Sequence, residues 1–79
     1  MENNNFEEIC DLLYNYFNGF NGFKKSYQKV FEIAKEHSEK YNNPYALYYL
    51  GLLYNEGKGG CEKNKQISFE YLKKALPLF

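Results

Sequence analysis

Leu12-Leu13-Tyr14-Asn15 and Leu52-Leu53-Tyr54-Asn55 are two copies of one tetrapeptide, placed forty residues apart in a chain of 79 residues. Each copy ends a helix-like apolar pattern and is followed by a loop that contains glycine. A period near forty in a short chain indicates tandem helical repeats, which bury their apolar faces only by stacking on one another. The chain is therefore predicted to be all-α, an α/α solenoid of two helical hairpins with about four antiparallel helices. Its function is expected in a binding surface.

Four helices are predicted from apolar residues at spacings of three and four and from the turn residues between them. Asn43 followed by Pro44 starts the third helix, because asparagine caps free amides and proline is tolerated in the first turn. A loop with three glycines, residues 56–63, ends that helix, and Asn64 is expected to cap the fourth. The predicted helices cover about residues 5–17, 23–41, 44–55 and 65–76.

Length and composition indicate one small domain that covers residues 1–79. A chain of this length buries only about 60% of its unfolded surface, so its stability is expected to be marginal. Ten basic and ten acidic side chains cancel, so the charge gives no reason to propose nucleic acid or an anionic membrane as the partner. Nine Tyr and seven Phe can fill the core and also serve as exposed binding anchors.

The polar start of the chain, Met1-Glu2-Asn3-Asn4-Asn5, is not basic and precedes no long apolar stretch. Neither a targeting segment nor a membrane-spanning segment is therefore predicted, and a cytoplasmic location is expected. Cys10 lies on an apolar helix face whereas Cys61 lies in a loop, so the two do not indicate a disulfide copied with each repeat. Both are interpreted as free thiols.

The third predicted helix and its loop resemble the start of a Sel1-like repeat, which reads approximately A-x-x-x-L-G-x-x-Y-x-x-G-x-G-V. The matching run is Ala46-Leu47-Tyr48-Tyr49-Leu50-Gly51-Leu52-Leu53-Tyr54-Asn55-Glu56-Gly57-Lys58-Gly59-Gly60. Asn64 stands where the family usually has a capping Asp, and Ser68-Phe69-Glu70-Tyr71-Leu72-Lys73-Lys74-Ala75-Leu76 resembles the family's second helix, A-x-x-W/Y-Y/L-x-K-A-A. This second repeat covers about residues 43–76.

Residues 5–41 are interpreted as a degenerate first Sel1-like repeat. In the forty-residue register, Asp11 replaces the repeat glycine, Phe17 replaces the first loop glycine, and Tyr27 replaces the small residue early in the second helix. A terminal capping repeat tolerates such changes because it has no neighbour on one side. The tetratricopeptide repeat is similar, but it is usually about 34 residues long and lacks the long glycine loop.

The resemblance implies an α/α solenoid of the tetratricopeptide superfamily type and an adaptor that holds proteins together in complexes. It implies no reaction, so no enzyme and no cofactor are predicted. His37 has no Cys or carboxylate at a metal-ligand spacing, and the segment Gly57–Gly60 lacks the strand and the spacing of a phosphate loop. The expected partner is a protein or a peptide.

Helix geometry predicts the binding surface, since residues three and seven apart share one side of a helix. In solenoids the first helices of successive repeats line the concave side, so matching ridges of the first and third helices should form a small groove. Subtracting forty from the ridge of the third helix selects the ridge of the first, which begins at Asn5. The predicted groove consists of Glu8, Leu12, Asn15, Tyr45, Tyr48, Leu52 and Asn55.

Two alternatives stay open at this point. Tyr48 also fills a position where the family commonly has Tyr for packing, so it is either a binding anchor or part of the core. The apolar segment Pro77-Leu78-Phe79 favours a second function, a self-assembling structural module or a piece of a longer repeat array that associates through this end. The molecular mass in solution distinguishes that alternative from the adaptor.

Overall fold

The computed structural model describes residues 5–79. Four α-helices and one 3-10 turn follow each other along this part of the chain, which contains no strand, so the prediction of an all-α fold is confirmed. The prediction that no targeting segment is present rests mainly on Met1–Asn4, which lies outside the described residues. The elements are α1 (Phe6–Asn18), α2 (Tyr27–Tyr41), α3 (Pro44–Glu56), α4 (Lys65–Ala75) and the 3-10 turn Leu76–Leu78.

The second helix begins four residues later than predicted. Ser26 is its N-cap, with its side-chain oxygen accepting a hydrogen bond of 3.1 Å from the amide of Lys29. The amide of Ser26 in turn donates to the carbonyl of Tyr16 in α1 at 2.9 Å, which fixes the start of α2 against the end of α1. Phe23 extended the apolar pattern of the predicted helix, but it packs from the loop against Tyr16, with the ring centroids 4.9 Å apart.

The two hairpins follow one backbone pattern with a period of 38 residues. Helix α3 begins 38 residues after α1, at residues 44 and 6, and α4 begins 38 residues after α2, at residues 65 and 27. Gly19 and Gly57 end the first helices in the left-handed conformation, each with an N–H···O bond of 2.7 Å, to Asn15 and to Leu53 respectively. Asn21 and Gly59 also share a positive φ at matching loop positions.

The helix starts obey the same period. Asn5 caps α1 and Asn43 caps α3, and Ser26 and Asn64 cap α2 and α4 with φ angles of −154° and −152°. The caps predicted at Asn43 and Asn64 are therefore confirmed. Asn43 differs from Asn5 in being fully buried, and its Nδ2 has no hydrogen-bond partner among the described residues.

This period corrects the forty-residue register. Gly19, and not Phe17, is the counterpart of the loop glycine Gly57, since both glycines make the same left-handed cap. The counterpart of Gly51 is Leu13 and not Asp11, because 51 minus 38 is 13. By the same subtraction Val30, and not Tyr27, takes the place of the small residue Ser68. The two copies of the tetrapeptide thus do not occupy equivalent positions, because their spacing exceeds the structural period by two residues.

Helix α3 lies at the centre of the molecule and contacts all three other helices. Its sequence is apolar on most sides, as a helix surrounded by others requires. The core joins both hairpins, so neither of them has an apolar centre of its own. The buried core residues are Leu13, Val30, Ala34, Ala46, Tyr49, Leu50 and Leu53.

At one pair of matching positions, the two hairpins have a large and a small residue in opposite order. In the second hairpin Gly51 lies against Leu72, so closely that a Cβ on Gly51 would be 2.7 Å from Leu72 Cγ. The counterparts in the first hairpin are the buried Leu13 and Ala34, in the opposite order of size. Ser68 Oγ also donates a hydrogen bond of 2.7 Å to the carbonyl of Gly51, which only a close helix approach permits.

Besides the contacts of α3 with α1 and α2, the second loop packs on α2. A Cβ on Gly59 would lie 2.7 Å from the carbonyl oxygen of Tyr27 and 3.1 Å from Phe31 Cβ. Phe31 packs edge-on against Tyr54, with ring centroids 6.2 Å apart, and the Lys58 ammonium lies 4.7 Å from the centre of the Tyr27 ring. Glycine is required at position 59 because of this approach and because of its φ of 76°.

We expect Gly51→Leu to overpack the second hairpin and to lower the free energy of unfolding by about 1 to 3 kcal/mol. Adding Leu72→Ala reproduces the order of sizes seen at Leu13 and Ala34, so the double variant should regain about half of that loss or more. Urea unfolding followed by circular dichroism measures both values. A Gly51→Leu variant as stable as the parent would show that the close approach is wrong.

Gly59→Ala tests the contact between hairpins, with Gly60→Ala as its matched control. Both positions have positive φ, but a Cβ at Gly60 meets no atom within 4 Å. Backbone strain should therefore be similar in the two variants, and Gly59→Ala should cost about 1 to 3 kcal/mol more because its methyl group collides with α2. Equal melting temperatures for the two variants would contradict this account of the joint.

Candidate protein-binding site

The open face shared by α1 and α3 is the candidate site, and the period of 38 identifies its two matching ridges. Tyr45, Tyr48, Leu52 and Asn55 lie along one side of α3, as predicted. Subtraction of 38 from these positions gives a different ridge on α1 from the predicted one. The corrected ridge of α1 consists of Glu7, Cys10, Tyr14 and Phe17.

Tyr49 forms the floor between the two ridges. Only 8% of its surface is exposed, and its ring lies 5.4 Å from that of Phe17, between ring centroids. Burial, followed by the neighbouring Cys10, Tyr48 and Tyr14, raises the pKa of Tyr49 to about 12. Two of these three neighbours belong to α1 and one belongs to α3.

Two exposed tyrosines stand on either side of this floor. Tyr14 of α1 is 47% exposed and Tyr48 of α3 is 41% exposed. Each is oriented by an edge-on contact with another ring, Tyr14 by Phe20 at 5.5 Å and Tyr48 by Tyr49 at 5.6 Å between centroids. We call the surface formed by Cys10, Tyr14, Tyr45, Tyr48 and Leu52, with Tyr49 as its floor, the tyrosine face.

The structure corrects the three groove residues that were predicted on α1. Two residues turn an α-helix by about 200°, so the register error places Glu8, Leu12 and Asn15 on nearly the opposite side of α1 from the tyrosine face. The backbone amide of Glu8 donates to the cap at Asn5, and the side chain of Asn15 accepts a hydrogen bond of 2.8 Å from Asn21 Nδ2. Both residues therefore contribute to the ends of the first helix.

On α3 the predicted residues lie on the expected side but have different surroundings. Leu52 is half-buried and packs against the core. Asn55, at the edge of the ridge, accepts a hydrogen bond of 3.2 Å from Lys65 Nζ, which connects α3 to the start of α4. Tyr45 is half-buried as well. Binding of a partner by these side chains stays a prediction.

Phe79 covers one end of the tyrosine face. Its ring lies edge-on to Tyr45 at 5.2 Å and to Tyr48 at 6.5 Å, between ring centroids. The 3-10 turn at Leu76–Leu78 directs the chain to this position, and Pro77 stands in the first turn of that element. Sequence reasoning missed this contact, because nothing in the local pattern states where the chain travels after a helix ends.

Residues 5–79 contain no group of three or more His, Cys, Asp or Glu side chains that could hold a metal ion. Burial, followed by the charges of Asp11 and Glu7, raises the pKa of the Cys10 thiol, and burial also raises the pKa of Cys61. Both thiols are therefore mainly protonated near neutral pH and are poor nucleophiles.

A second, open groove runs along the outer side of α2. Its charged side chains largely pair with each other, Lys35 with Glu39 at 3.6 Å and Lys40 with Glu36 at 3.2 Å. Such exposed pairs leave little free charge to recognise a ligand. The groove is lined by Phe31, Glu32, Lys35, Glu36, Glu39 and Lys40.

Between residues 5 and 79, no helix combines the length and the apolar character that crossing a bilayer requires.

Comparison with known proteins gives one match. Residues 44–76 match the model of the Sel1 repeat family, so the resemblance inferred from the second hairpin is confirmed. These residues run from the first residue of α3 to the first residue of the 3-10 turn. Neither the curated proteins nor the solved structures contain a match to this chain.

Tyr49 should make stability depend on alkaline pH. Its pKa is about 12 in the folded chain and near 10 in the unfolded chain, so above pH 10 the unfolded state releases a proton that the folded state keeps. The free energy of unfolding should therefore fall as the pH rises from 10 to about 12. Tyr49→Phe should show a smaller fall in urea unfolding over the same window, since other titrating groups are shared. An equal fall in both proteins would contradict the raised pKa.

Proposed function

We propose that this chain, whose residues 44–76 match the Sel1 repeat family, is a non-catalytic adaptor that binds a protein or a peptide through the tyrosine face. Sel1 repeats generally mediate interactions between proteins. The proposal needs no cofactor. It assigns binding to Tyr14, Tyr45, Tyr48 and Leu52, and it replaces Glu8, Leu12 and Asn15 by the ridge of α1 that faces Tyr49.

The observation that carries the proposal is the pair of exposed tyrosines on either side of the buried Tyr49. Tyr14 and Tyr48 expose nearly half of their surface. Tyrosine offers a large contact area and loses little rotamer entropy on binding, which is why it is frequent in binding surfaces. Two such rings on adjacent helices provide anchors for one partner segment.

The contact of Phe79 supports the chemistry of the partner. An aromatic side chain already packs on Tyr45 and Tyr48 within the chain itself, so this end of the face accepts a ring edge-on. The acidic ridge residue Glu7 stands beside the face, and no Lys belongs to it. We therefore propose a peptide with apolar or aromatic side chains as the partner, in the cytoplasm, and neither nucleic acid nor a membrane.

The alternative function, a self-assembling structural module or a piece of a longer array, keeps one observation in its favour. Leu76, Leu78 and Phe79 are exposed at the end of the second hairpin, where a further repeat would stack. A monomeric mass by sedimentation at high protein concentration would count against it. A concentration-dependent dimer would move it ahead of the adaptor.

We expect Tyr14→Ala combined with Tyr48→Ala to abolish partner binding while changing the free energy of unfolding by only about 1 kcal/mol, because both rings are exposed. Tyr41→Ala is the matched control, since Tyr41 is 40% exposed but lies at the end of α2, away from the tyrosine face. Loss of aromatic anchors typically lowers affinity about thirtyfold or more. Immobilised parent, double variant and control are compared for the proteins that each retains.

Two outcomes would contradict the assignment. A loss of several kcal/mol in the double variant would place the two rings in the core and leave no open face. Retention of the same partners by the double variant and by Tyr41→Ala would show that binding uses another surface.

Phe79→Ala separates the two ends of the face, because it uncovers Tyr45 and Tyr48 and should strengthen binding if Phe79 competes with the partner.

A further inference from the structure

Two lysines from different hairpins meet at the ring of Tyr27. Lys25 lies two positions before the start of α2, and its ammonium is 5.1 Å from the centre of the Tyr27 ring. Lys58 belongs to the second loop, and its ammonium is 4.7 Å from the same ring centre. Lys25, as a donor near the phenol oxygen and as a charge, lowers the pKa of Tyr27, and the charge of Lys58 lowers it further. Two positive charges therefore converge at one place on the molecule.

This pair of lysines lies beside the tyrosine face. The ring of Phe17 packs on Tyr49, the floor of that face, at 5.4 Å and on Tyr27 at 5.2 Å, between ring centroids. One ring thus connects the floor of the face to Tyr27. Phe17 lies in the last turn of α1, whereas Tyr45, which contacts Phe79, lies in the first turn of α3. The lysines and Phe79 are therefore at opposite ends of the tyrosine face.

The net charge of zero results from two regions of opposite charge. Residues 24–29 and 56–65, at the loop ends of the two hairpins, contain six lysines and two glutamates, which leaves a net charge of +4. The loop ends lie together, because Gly59 of the second loop packs on the start of α2 at Tyr27. Since the whole chain is neutral, acidic residues are in excess elsewhere. The molecule thus has one basic end.

Both lysines are able to bind a further negative group. The ion pairs formed within residues 5–79 do not include Lys25. Lys58 Nζ lies 3.9 Å from Glu56 Oε1, and both side chains are about half exposed, so this pair contributes little. Two ammoniums near one ring repel each other, and a carboxylate between them would replace that repulsion by attraction. The geometry of the two charges therefore favours an anion.

We propose that Lys25 and Lys58, with Tyr27 between them, form an anion subsite that binds an acidic side chain of the partner peptide. This inference rests on the proposed function, because it places the rest of the same peptide on the tyrosine face. The two ammoniums hold the carboxylate of an Asp or Glu, while apolar or aromatic residues of the peptide pack on Tyr14 and Tyr48. The charges also set the direction of the peptide, since its acidic residue lies at the loop end.

An acidic peptide fits this subsite better than a nucleic acid or an anionic membrane. Binding to a row of phosphates uses a stripe of several Lys or Arg side chains, and this chain has no Arg. Glu56 and Glu62 stand among the lysines of the second loop and would repel neighbouring phosphates. A single carboxylate held between two ammoniums avoids that repulsion.

A library of random peptides displayed on phage is the probe for this subsite. The library is selected on the immobilised full chain, and the retained peptides are sequenced. We expect them to be enriched in Asp or Glu together with aromatic residues. The variant K25E/K58E should select Lys or Arg in place of Asp and Glu and should keep the aromatic residues, because reversing both charges reverses the preference.

Lys29→Gln combined with Lys73→Gln is the matched control for Lys25→Gln combined with Lys58→Gln. Lys29 follows Tyr27 by two residues and so lies on nearly the opposite side of α2, and Lys73 lies over Phe69 on α4. For one acidic peptide selected by the parent, K25Q/K58Q should lower the affinity about tenfold at low salt, and the control should leave it unchanged. High salt should reduce this difference, because it screens exposed charges.

The outcomes separate this subsite from the proposed function. Selection of aromatic peptides without an acidic preference would refute the anion subsite and leave the tyrosine face intact. Retention of no peptide, or of the same peptides by the Tyr14→Ala and Tyr48→Ala variant, would contradict the proposed function and with it this inference. If K25E/K58E does not fold, K25Q/K58Q is used for the selection and should lose the acidic preference.

Two further probes distinguish the carboxylate from phosphate. Labelled single-stranded DNA and vesicles that contain phosphatidylserine are titrated with the parent chain and with K25Q/K58Q. We expect neither probe to bind at the salt concentration where the selected peptide binds. Binding of either probe by the parent that is lost in K25Q/K58Q would assign the two lysines to a phosphate ligand and would overturn the proposal.

Discussion

The packing of Gly59 on the carbonyl oxygen of Tyr27 sets how the two hairpins sit on each other. A side chain at position 59 would keep the second loop away from α2, since its Cβ would lie 2.7 Å from that oxygen. The approach brings Tyr54 onto Phe31 and places α3 among the other three helices. The tyrosine face depends on the side-by-side position of α1 and α3, which also contact each other directly, with the rings of Phe17 and Tyr49 5.4 Å apart.

The two hairpins present different residues at the positions that form this joint, so the two ends of the molecule differ. At its start, the first hairpin presents Asp11 and Asn21 where the second hairpin presents the buried Tyr49 and Gly59. Polar residues at these positions are typical of a capping repeat. At its other end, α4 exposes Phe69, with the Lys73 ammonium 5.9 Å from the centre of its ring.

Sequence reasoning placed the second hairpin well and the first hairpin in the wrong register. The caps at Asn43 and Asn64 and the glycine loop between them are local signals, because a capping side chain and a left-handed glycine act within a few residues. The first hairpin has the same devices at Asn5, Gly19 and Ser26. A chance tetrapeptide repeat was more conspicuous than these caps, and an error of two residues turned the predicted ridge of α1 away from α3.

Local chemistry in the sequence determined that the chain forms helical hairpins, because caps, glycine ends and apolar spacing act within a few residues of one another. Tertiary structure alone decided the period of 38, the exchange of Leu13 and Ala34 for Gly51 and Leu72, and the position of Phe79 over Tyr45. Each of these depends on where side chains distant in sequence meet, and on which of them has room. Packing fills space between helices, so a large residue on one helix is compatible only with a small one opposite, and no single stretch of sequence states that pairing.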